Sequence, residues 1–180
     1  MLQYVVLLRG INVGGKNLIK MAALRSCFQD NGFDDVATYI QSGNVLFSTR
    51  ASNAPDLTSR IKRMLGMTFD YSASVVLRSQ KQMQATVDGA PAGFGAEPDR
   101  YRYDVIFLQA PLTAAAAMKS VSAREGVDQA DGGPGVLYFS RFISRASQSH
   151  LSKIVASPIY KQVTIRNWNT TTKLLHLMGG

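Results

Sequence analysis

The chain has few of the residues on which disulfides, metal centres and most acid–base catalysts depend. It contains one cysteine and two histidines among 180 residues. A single cysteine cannot form an internal disulfide and fits a reducing compartment. Cys27 lies among Met21, Leu24 and Phe28, apolar residues at helical spacing, which favours a buried structural thiol over a nucleophile. His150 and His176 have no carboxylate or cysteine at a recognisable spacing, so the sequence predicts no metal site and leaves the catalytic residues, if any, unknown.

Long apolar runs are also missing. No run of about eighteen apolar residues is present to span a bilayer, and the N-terminal segment MLQYVVLLRG is too short for a signal peptide. We therefore expect a cytoplasmic protein with no membrane partner. The apolar content of 46% is that of an ordinary globular protein, with one domain or two small ones sharing a core. The oligomeric state is left open.

Carboxylates are missing from the last forty residues. The net charge is +8, and the C-terminal part from Arg141 onward contains cations but no Asp or Glu. The cations are Arg141, Arg145, Lys153, Lys161, Arg166 and Lys173. This distribution predicts a positive potential wherever the surface of this part faces water, which favours a polyanionic partner. The alternative is that these are scattered solvated side chains that only keep the protein soluble.

One segment is rich in the groups that anion sites use. It has the sequence RGINVGGKN, covers positions 9–17, and lies between an apolar run and the first amphipathic helix. Its glycines allow positive φ and bring backbone N–H groups close to a ligand, and its two cations and two amides could hold an anion. The residues expected to contact the ligand are Arg9, Asn12, Gly14, Gly15, Lys16 and Asn17.

Two alternatives to an anion-binding loop follow from the same residues. Gly10, four further residues and then Gly15-Lys16 nearly match the phosphate-binding P-loop. However, Asn17 stands where the P-loop has a magnesium-binding Ser or Thr, and helical periodicity begins only near Lys20, so a true P-loop is disfavoured. A glycine-rich connection between a strand and a helix, without any ligand, is the simpler alternative.

Hydrophobic periodicity predicts two α+β halves of similar design. In residues 1–87 it predicts strands at 2–8, 36–40, 45–48 and 75–77, a helix through Met21, Leu24 and Phe28, a helix at 54–67 and a short helix at 80–86. Segment 88–100 is rich in Gly, Ala and Pro and is interpreted as a linker. In residues 101–180 the predictions are strands at 103–108, 127–130, 136–140 and 162–165, a turn at 131–135, and helices at 112–121, 150–156 and 170–178, the last capped by Asn169.

The order βαββαβ in each half is that of the ferredoxin-like unit, an antiparallel four-stranded sheet with two helices on one face. The predicted fold class is therefore α+β, with two tandem ferredoxin-like halves and a C-terminal helix. In such a unit we expect the loop after the first strand and the turn between strands two and three to lie at opposite edges, so that they need not meet.

Two further polar clusters could belong to a binding site. The first is the predicted hairpin turn with Gln41, Ser42 and Asn44, and the second is Arg166, Asn167 and Trp168. Trp168 beside Arg166 could stack on a base while the guanidinium pairs with phosphate. A tryptophan that follows a strand is more often packed against the core, and we favour that interpretation. The sequence does not say whether the three clusters converge.

Several segments resemble a bacterial family known as domain of unknown function 1697, or DUF1697. They are YVVLLRGINVGGKNLIKMAALR, TYIQSGNVLF and TIRNWNTTTKLL, and the resemblance covers the chain from Leu2 to Leu175. The resemblance implies a tandem α+β architecture of two ferredoxin-like halves. It brings no assigned activity and no catalytic residues.

The function that the sequence favours is binding of a phosphate-bearing ligand through the loop at 9–17 and the basic C-terminal third. Nucleic acid is the first candidate because of that basic third, and a phosphorylated small molecule is the second. An enzyme acting on a small anionic or phosphorylated metabolite stays open, and so does a protein-interaction module. No cofactor is expected.

Overall fold

Eight strands form two separate four-stranded antiparallel sheets in this computed structural model, which describes residues 1–51 and 53–179. The chain divides into two compact units. The first unit contains Met1–Lys81 together with the end of the last helix from Leu174, and the second contains Gln82–Lys173. The predicted α+β class with antiparallel sheets and a C-terminal helix is confirmed. The domain boundaries drawn at 88–100 stay a prediction.

The first sheet is built around its first and third strands. The elements of this part are β1 Leu2–Arg9, α1 Met21–Asp30, β2 Asp34–Tyr39, β3 Asn44–Thr49, α2 Ala54–Phe69 and β4 Ser74–Ser79. The strand order is β2-β3-β1-β4, so β1 pairs with both β3 and β4. The predicted hairpin between β2 and β3 is antiparallel, as expected.

Alternation along β1 explains where the core of the first unit lies. Tyr4, Val6 and Leu8 belong to one buried cluster, in which they pack with residues of α1 and α2 such as Phe28 and Ile61. Residues two apart on a strand share a face, which places these β1 side chains against the helices. Asn53 supports the start of α2, because its Oδ1 accepts a hydrogen bond of 3.3 Å from the N–H of Asp56.

Cys27 lies on the buried side of α1. Its side chain is 4% exposed, and its Sγ donates a hydrogen bond of 3.4 Å to Oγ1 of Thr68. The predicted buried thiol is therefore confirmed, since the sulfur is enclosed between α1 and α2.

The second sheet repeats the arrangement of the first. The elements of this part are α3 Gln80–Asp88, β5 Tyr101–Leu108, α4 Ala114–Met118, β6 Asp128–Gly133, β7 Val136–Phe142, a 3₁₀ segment Ile143–Gln148, α5 Leu151–Ala156, a 3₁₀ segment Pro158–Gln162, β8 Val163–Asn167 and α6 Trp168–Leu177. The strand order β6-β7-β5-β8 matches the order of the first sheet, strand for strand. Ile106, Leu108 and Phe139 form the centre of its core.

Two sequence predictions in this part need correction. The turn predicted at 131–135 is shorter, because β6 continues to Gly133 and pairs Asp131 with Tyr138 on β7. The helix predicted at 112–121 is reduced to Ala114–Met118. Ladder hydrogen bonds with a neighbouring strand outweigh the turn preference of an Asp-Gly-Gly sequence.

The cap of the last helix is also different from the prediction. Helix α6 begins at Trp168, and the Oδ1 atom of Asn167 accepts a hydrogen bond of 2.7 Å from the N–H of Thr170. Asn169 lies inside the helix, so the predicted cap was wrong. The reason is that Asn167 ends β8 and its side chain reaches back over the exposed N–H groups of the first turn.

Candidate functional site

The loop between β1 and α1 is a tight hairpin closed by its own hydrogen bonds. Val13 O accepts from the N–H of Lys16 at 3.1 Å, and Asn17 O accepts from the N–H of Asn12 at 3.1 Å. The tip residues Gly14 and Gly15 have φ of +60° and +74°. Positive φ at both central residues is the requirement of a type I′ turn. A Cβ at either glycine would meet no atom within 4 Å, so the tip protrudes into open space.

The two asparagines of the loop use their amides inside the protein. Asn12 Nδ2 donates to Ile19 O at 2.9 Å and to Gln41 O at 3.0 Å, while its Oδ1 accepts from the N–H of Ile19 at 2.8 Å. Asn17 Nδ2 donates to Gly10 O at 2.8 Å. Both residues have positive φ, which asparagine tolerates better than most residues. We therefore assign them to holding the loop rather than to contacting a ligand.

The loop and the β2–β3 turn meet, contrary to the expectation that they lie at opposite edges. Leu8 N–H donates to Gly43 O at 2.8 Å, and the Asn12 amide reaches Gln41 O. The expectation was wrong because β1 and β3 are antiparallel neighbours, so the end of β1 lies beside the start of β3. Contact is close enough that a Cβ on Gly43 would lie 2.5 Å from Cδ1 of Ile11.

The side chains of the β2–β3 turn differ in their availability to a ligand. Asn44 is fully buried, and its Nδ2 donates to Tyr39 O at 2.9 Å and to Ser42 Oγ at 3.1 Å. It holds the turn in place, and Ser42 is half-buried beside it. Gln41 has an exposed side chain. Of the three turn residues predicted for the site, Gln41 is thus the one open to solvent.

The surroundings of the loop are positively charged. Lys16 and Lys20 are exposed, and Arg9 is half-buried with its carbonyl oxygen accepting from the hydroxyl of Tyr71. The first acidic residue of the chain is Asp30, so the entire segment from β1 through most of α1 has no carboxylate. An anion approaching the loop therefore meets the exposed Lys16 and Lys20.

The C-terminal cluster lies in the second unit and has a structural role there. Arg166 on β8 is 8% exposed, and Asn167 caps α6. Trp168 is half-buried and packs edge-on against Phe94, with ring centroids 5.2 Å apart. A Cβ on Gly95 would lie 2.3 Å from Nε1 of Trp168. The packed interpretation of Trp168 fits this geometry better than a base-stacking surface does.

The basic C-terminal part is not uniformly open to solvent. Arg141 Nη2 lies 3.5 Å from Oδ2 of Asp104, and Arg166 is buried. The exposed cations are Arg145, Lys153, Lys161 and Lys173. The positive surface predicted for this part is therefore carried by fewer side chains than the sequence suggested.

Asp104 is a partly buried carboxylate in the second unit, with its side chain 13% exposed. Burial raises the pKa of Asp104 above its ordinary value, and the positive charges of Arg141 and Arg102 partly oppose that rise. Its Oδ2 lies within an ion-pair distance of Arg141 but accepts no hydrogen bond in the described residues. Alternation along β5 places Asp104 on the same face as Ile106 and Leu108.

The second unit contains a cavity of about 200 Å³ that the sequence analysis did not predict. Its lining includes the aromatic residues Phe94, Tyr101, Tyr103 and Tyr138 and the acidic residues Glu97 and Asp131. Part of its wall comes from the segment interpreted as a linker. The alternating Tyr101 and Tyr103, and a phenylalanine within a Gly/Pro-rich stretch, were the available signals.

The first unit also contains a cavity, of about 320 Å³. It is lined by β-sheet residues such as Tyr39 and Leu46 and by Leu177 and Met178 at the end of the chain. No residue of the loop at 9–17 lines it. The predicted loop site is therefore a protruding surface and not part of this enclosed space.

The described residues contain neither a cluster suited to a metal ion nor a helix suited to span a membrane. Within 1–51 and 53–179, no group of three or more His, Cys, Asp or Glu side chains is placed to hold a metal ion. None of the helices in these ranges is long and apolar enough to cross a membrane. His150 Nδ1 lies 2.7 Å from the carbonyl oxygen of Ser122, which orients the ring within the second unit.

Comparisons with known proteins agree with the fold. The solved structure of the conserved bacterial protein SP0830 from Streptococcus pneumoniae is similar, with a TM-score of 0.86 and 29% sequence identity over 97% of each chain. A comparison with curated proteins finds no match. A family model described as a protein of unknown function, DUF1697, matches residues 1–138. Because that match covers well over half of the chain, the protein belongs to the DUF1697 family.

Proposed function

We propose that this protein binds a phosphate-bearing polymer, with nucleic acid as the ligand, through the loop end of its first unit. The loop end comprises residues 9–20 together with the β2–β3 turn at 40–43. The observation that carries the proposal is the exposed tip: the N–H groups of Gly14 and Gly15 donate to no other residue in the described ranges. Exposed Lys16 is next to them, and N–H groups beside a cation are suited to phosphate oxygens.

The shape of the loop end supports a polymer over a small metabolite. Binding sites for small molecules are usually concave and enclose most of the ligand. The tip instead protrudes, and the cavities described above are lined by other residues. A polymer can contact a convex surface through several phosphates at once, which lets modest individual contacts add up.

The exposed cations of the C-terminal part would contribute further phosphate contacts in this proposal. Lys153 lies on α5 and Lys161 on the 3₁₀ segment Pro158–Gln162, both within the connection between β7 and β8. We assign this part a secondary role, because Arg166 is buried and Arg141 is half-buried beside Asp104. We further propose that the protein acts in the cytoplasm.

We also propose that each unit is a ferredoxin-like variant. Support comes from the matching strand orders and from a shared register: Val5 on β1 pairs with Arg78, and Val105 on β5 pairs with Arg166. Each sheet thus places an arginine at the corresponding position of its fourth strand. Limited proteolysis tests the linker assignment: cleavage within 88–100 would support a linker, whereas protection would show that the segment belongs to the second unit, where Phe94 packs against Tyr103 and Trp168.

Fluorescence anisotropy tests the binding proposal directly. Labelled single-stranded RNA, single-stranded DNA and duplex DNA are titrated with the wild type, Lys16→Ala and the control Lys119→Ala at several salt concentrations. Lys119 is exposed in the second unit, so the control removes the same charge away from the loop end. We expect salt-sensitive binding, with Lys16→Ala lowering the slope of log K against log salt by about 0.9 on duplex DNA or about 0.7 on single strands. Equal affinities of the two variants would refute the role of the loop.

A protein-interaction module is the second candidate, because three large apolar side chains are exposed at the loop end. Val13 is 65% exposed, Leu18 75% and Ile40 47%. Exposed apolar groups close together often mark protein contacts. Leu18→Ser separates the two functions: it should leave binding of nucleic acid unchanged, and loss of a stable protein complex in that variant would favour the second candidate.

A further inference from the structure

The cavity of about 200 Å³ in the second unit is lined by residues of β5, β6 and β7 and of the segment before β5. Tyr103 on β5 and Asp131 on β6 lie on the face of the sheet opposite Asp104 and Ile106, because neighbouring residues of a strand alternate. Tyr138 on β7 lies between their two strands on the same face, because it pairs with Asp131, and Ser140, two residues further along β7, pairs with Tyr103. Phe94, from the segment before β5, closes one side.

The aromatic rings of the cavity hold one another in place. The Phe94 ring is edge-on to Tyr103, with centroids 4.9 Å apart, and edge-on to Tyr138, at 5.3 Å. The hydroxyl of Tyr138 donates to Thr86 O at 2.6 Å, and burial raises the pKa of Tyr138 to about 12. Tyr138 therefore stays neutral and contributes a ring rather than a charge. Such pre-positioned rings offer faces and edges to a ligand without further ordering.

The charge of the cavity has one sign. Among the described residues, its lining includes Glu97 and Asp131 and no lysine, arginine or histidine. Glu97 forms an ion pair of 2.6 Å with Arg100, in which both side chains are at least half exposed. Asp131 forms no ion pair within the described ranges. Two carboxylates beside aromatic rings repel phosphate and attract a positive charge.

We propose that this cavity is a binding site for a small organic cation, a molecule with an alkylammonium or guanidinium head. The cation sits against the rings of Tyr103 and Phe94, with Asp131 as its counter-ion, and Glu97 at the rim exchanges Arg100 for the ligand. The volume suits a compact head group rather than a peptide. The site is independent of the loop end, which has the opposite charge preference, so either proposal can fail alone.

Isothermal titration calorimetry on the full chain tests this site. The probes are tetramethylammonium and agmatine as cations, tert-butanol as a neutral analogue and inorganic phosphate as an anion. We expect heat of binding for the cations and not for the neutral or anionic probes. If tert-butanol binds as tightly as tetramethylammonium, charge recognition is wrong and the proposal fails.

Matched variants locate the binding. Asp131→Asn is expected to weaken cation affinity about fivefold, as for a partly exposed charge pair. Tyr103→Leu should lower the affinity for tetramethylammonium by about two- to fivefold, because the face of the aromatic ring is lost. Asp99→Asn is the control, because Asp99 is exposed and does not line the cavity. Circular dichroism checks that each variant is folded. Equal cation affinity for Asp131→Asn and Asp99→Asn would overturn the assignment.

Discussion

The loop end of the first unit and the segment before β5 in the second unit, where Gly95 packs against Trp168, use glycine for opposite purposes. Gly14 at the loop tip has open space around it, so its freedom of φ is what matters. Gly95 has positive φ and also no room for a side chain, because Trp168 occupies the position of a Cβ. The loop end is convex and its charged residues are cations, whereas the cavity is concave and the charged residues described in its lining are the carboxylates Glu97 and Asp131. Glycine therefore marks exposure in one place and close packing in the other.

The largest effect is expected from a side chain at Gly95, where the structure leaves no room for one. Gly95→Ala should destabilise the protein by about 3 kcal/mol, from an alanine held at positive φ and from a collision with the indole of Trp168. Gly93→Ala is the control in the same segment, with φ of +79° and nothing within 4 Å of its Cβ. It should cost about 1–2 kcal/mol, the backbone contribution alone. Urea unfolding measures both, and equal losses would show that Trp168 moves aside freely.

Removal of the asparagine amide that joins the loop to the β2–β3 turn should come next in size. Asn12→Ala loses three hydrogen bonds, at about 1 kcal/mol each, for a total of about 2–3 kcal/mol. Asn17→Ala loses one and should cost about 1 kcal/mol. Unfolding gives the totals, and hydrogen exchange should show faster exchange at 10–20 and 41–43 in Asn12→Ala. Similar exchange in both variants would mean that Asn12 does not tie the two segments together.

The smallest effect concerns pH and the opposite face of the second sheet. Burial holds the pKa of Asp104 above its ordinary value of 3.8, so the unfolded chain loses this proton at a lower pH than the native protein does. The contribution of Asp104 to stability is therefore fully present below 3.8 and is lost as the pH rises through the higher native value.

Asp104→Asn has no proton to lose at this position. Its stability relative to the wild type should therefore increase as the pH rises from about 4, then level off. Urea unfolding at several pH values measures this difference, with Asp99→Asn as the exposed control. A difference that falls with rising pH would show that the attraction of Arg141 outweighs burial.

Strands were easier to predict than the contacts between their ends. The apolar runs of β1 and β7 identify them as strands, since a short Val- and Leu-rich run that ends in turn residues is typical of a buried strand. The turn predicted at 131–135 failed because Asp131 and Gly132 have turn composition but take part in a ladder with β7. The helix cap at Asn167 was missed because two asparagines flank Trp168, and their backbone angles decide which of them caps the helix.

In the candidate sites, too, the sequence did not reveal which residues contact each other. The glycines of the loop predicted positive φ, and Gly10, Gly14 and Gly15 have it. The roles of Asn12, Asn17 and Asn44 depend on which carbonyl oxygens lie nearby in space, which spacing along the chain does not reveal. The aromatic cavity was hidden for a different reason: the composition around Phe94 is typical of a connection, and its partners are distant in sequence.

Local opening of the first unit can be detected by chemical modification of Cys27. Its thiol is enclosed between α1 and α2 beside Thr68, and it is the single cysteine of the chain. A thiol-specific reagent can modify it only when that helix pair separates, so the rate of modification counts opening events of the first unit alone. The rate of thiol modification therefore reports how often the first unit opens locally. The second unit has no cysteine and contributes nothing to this signal.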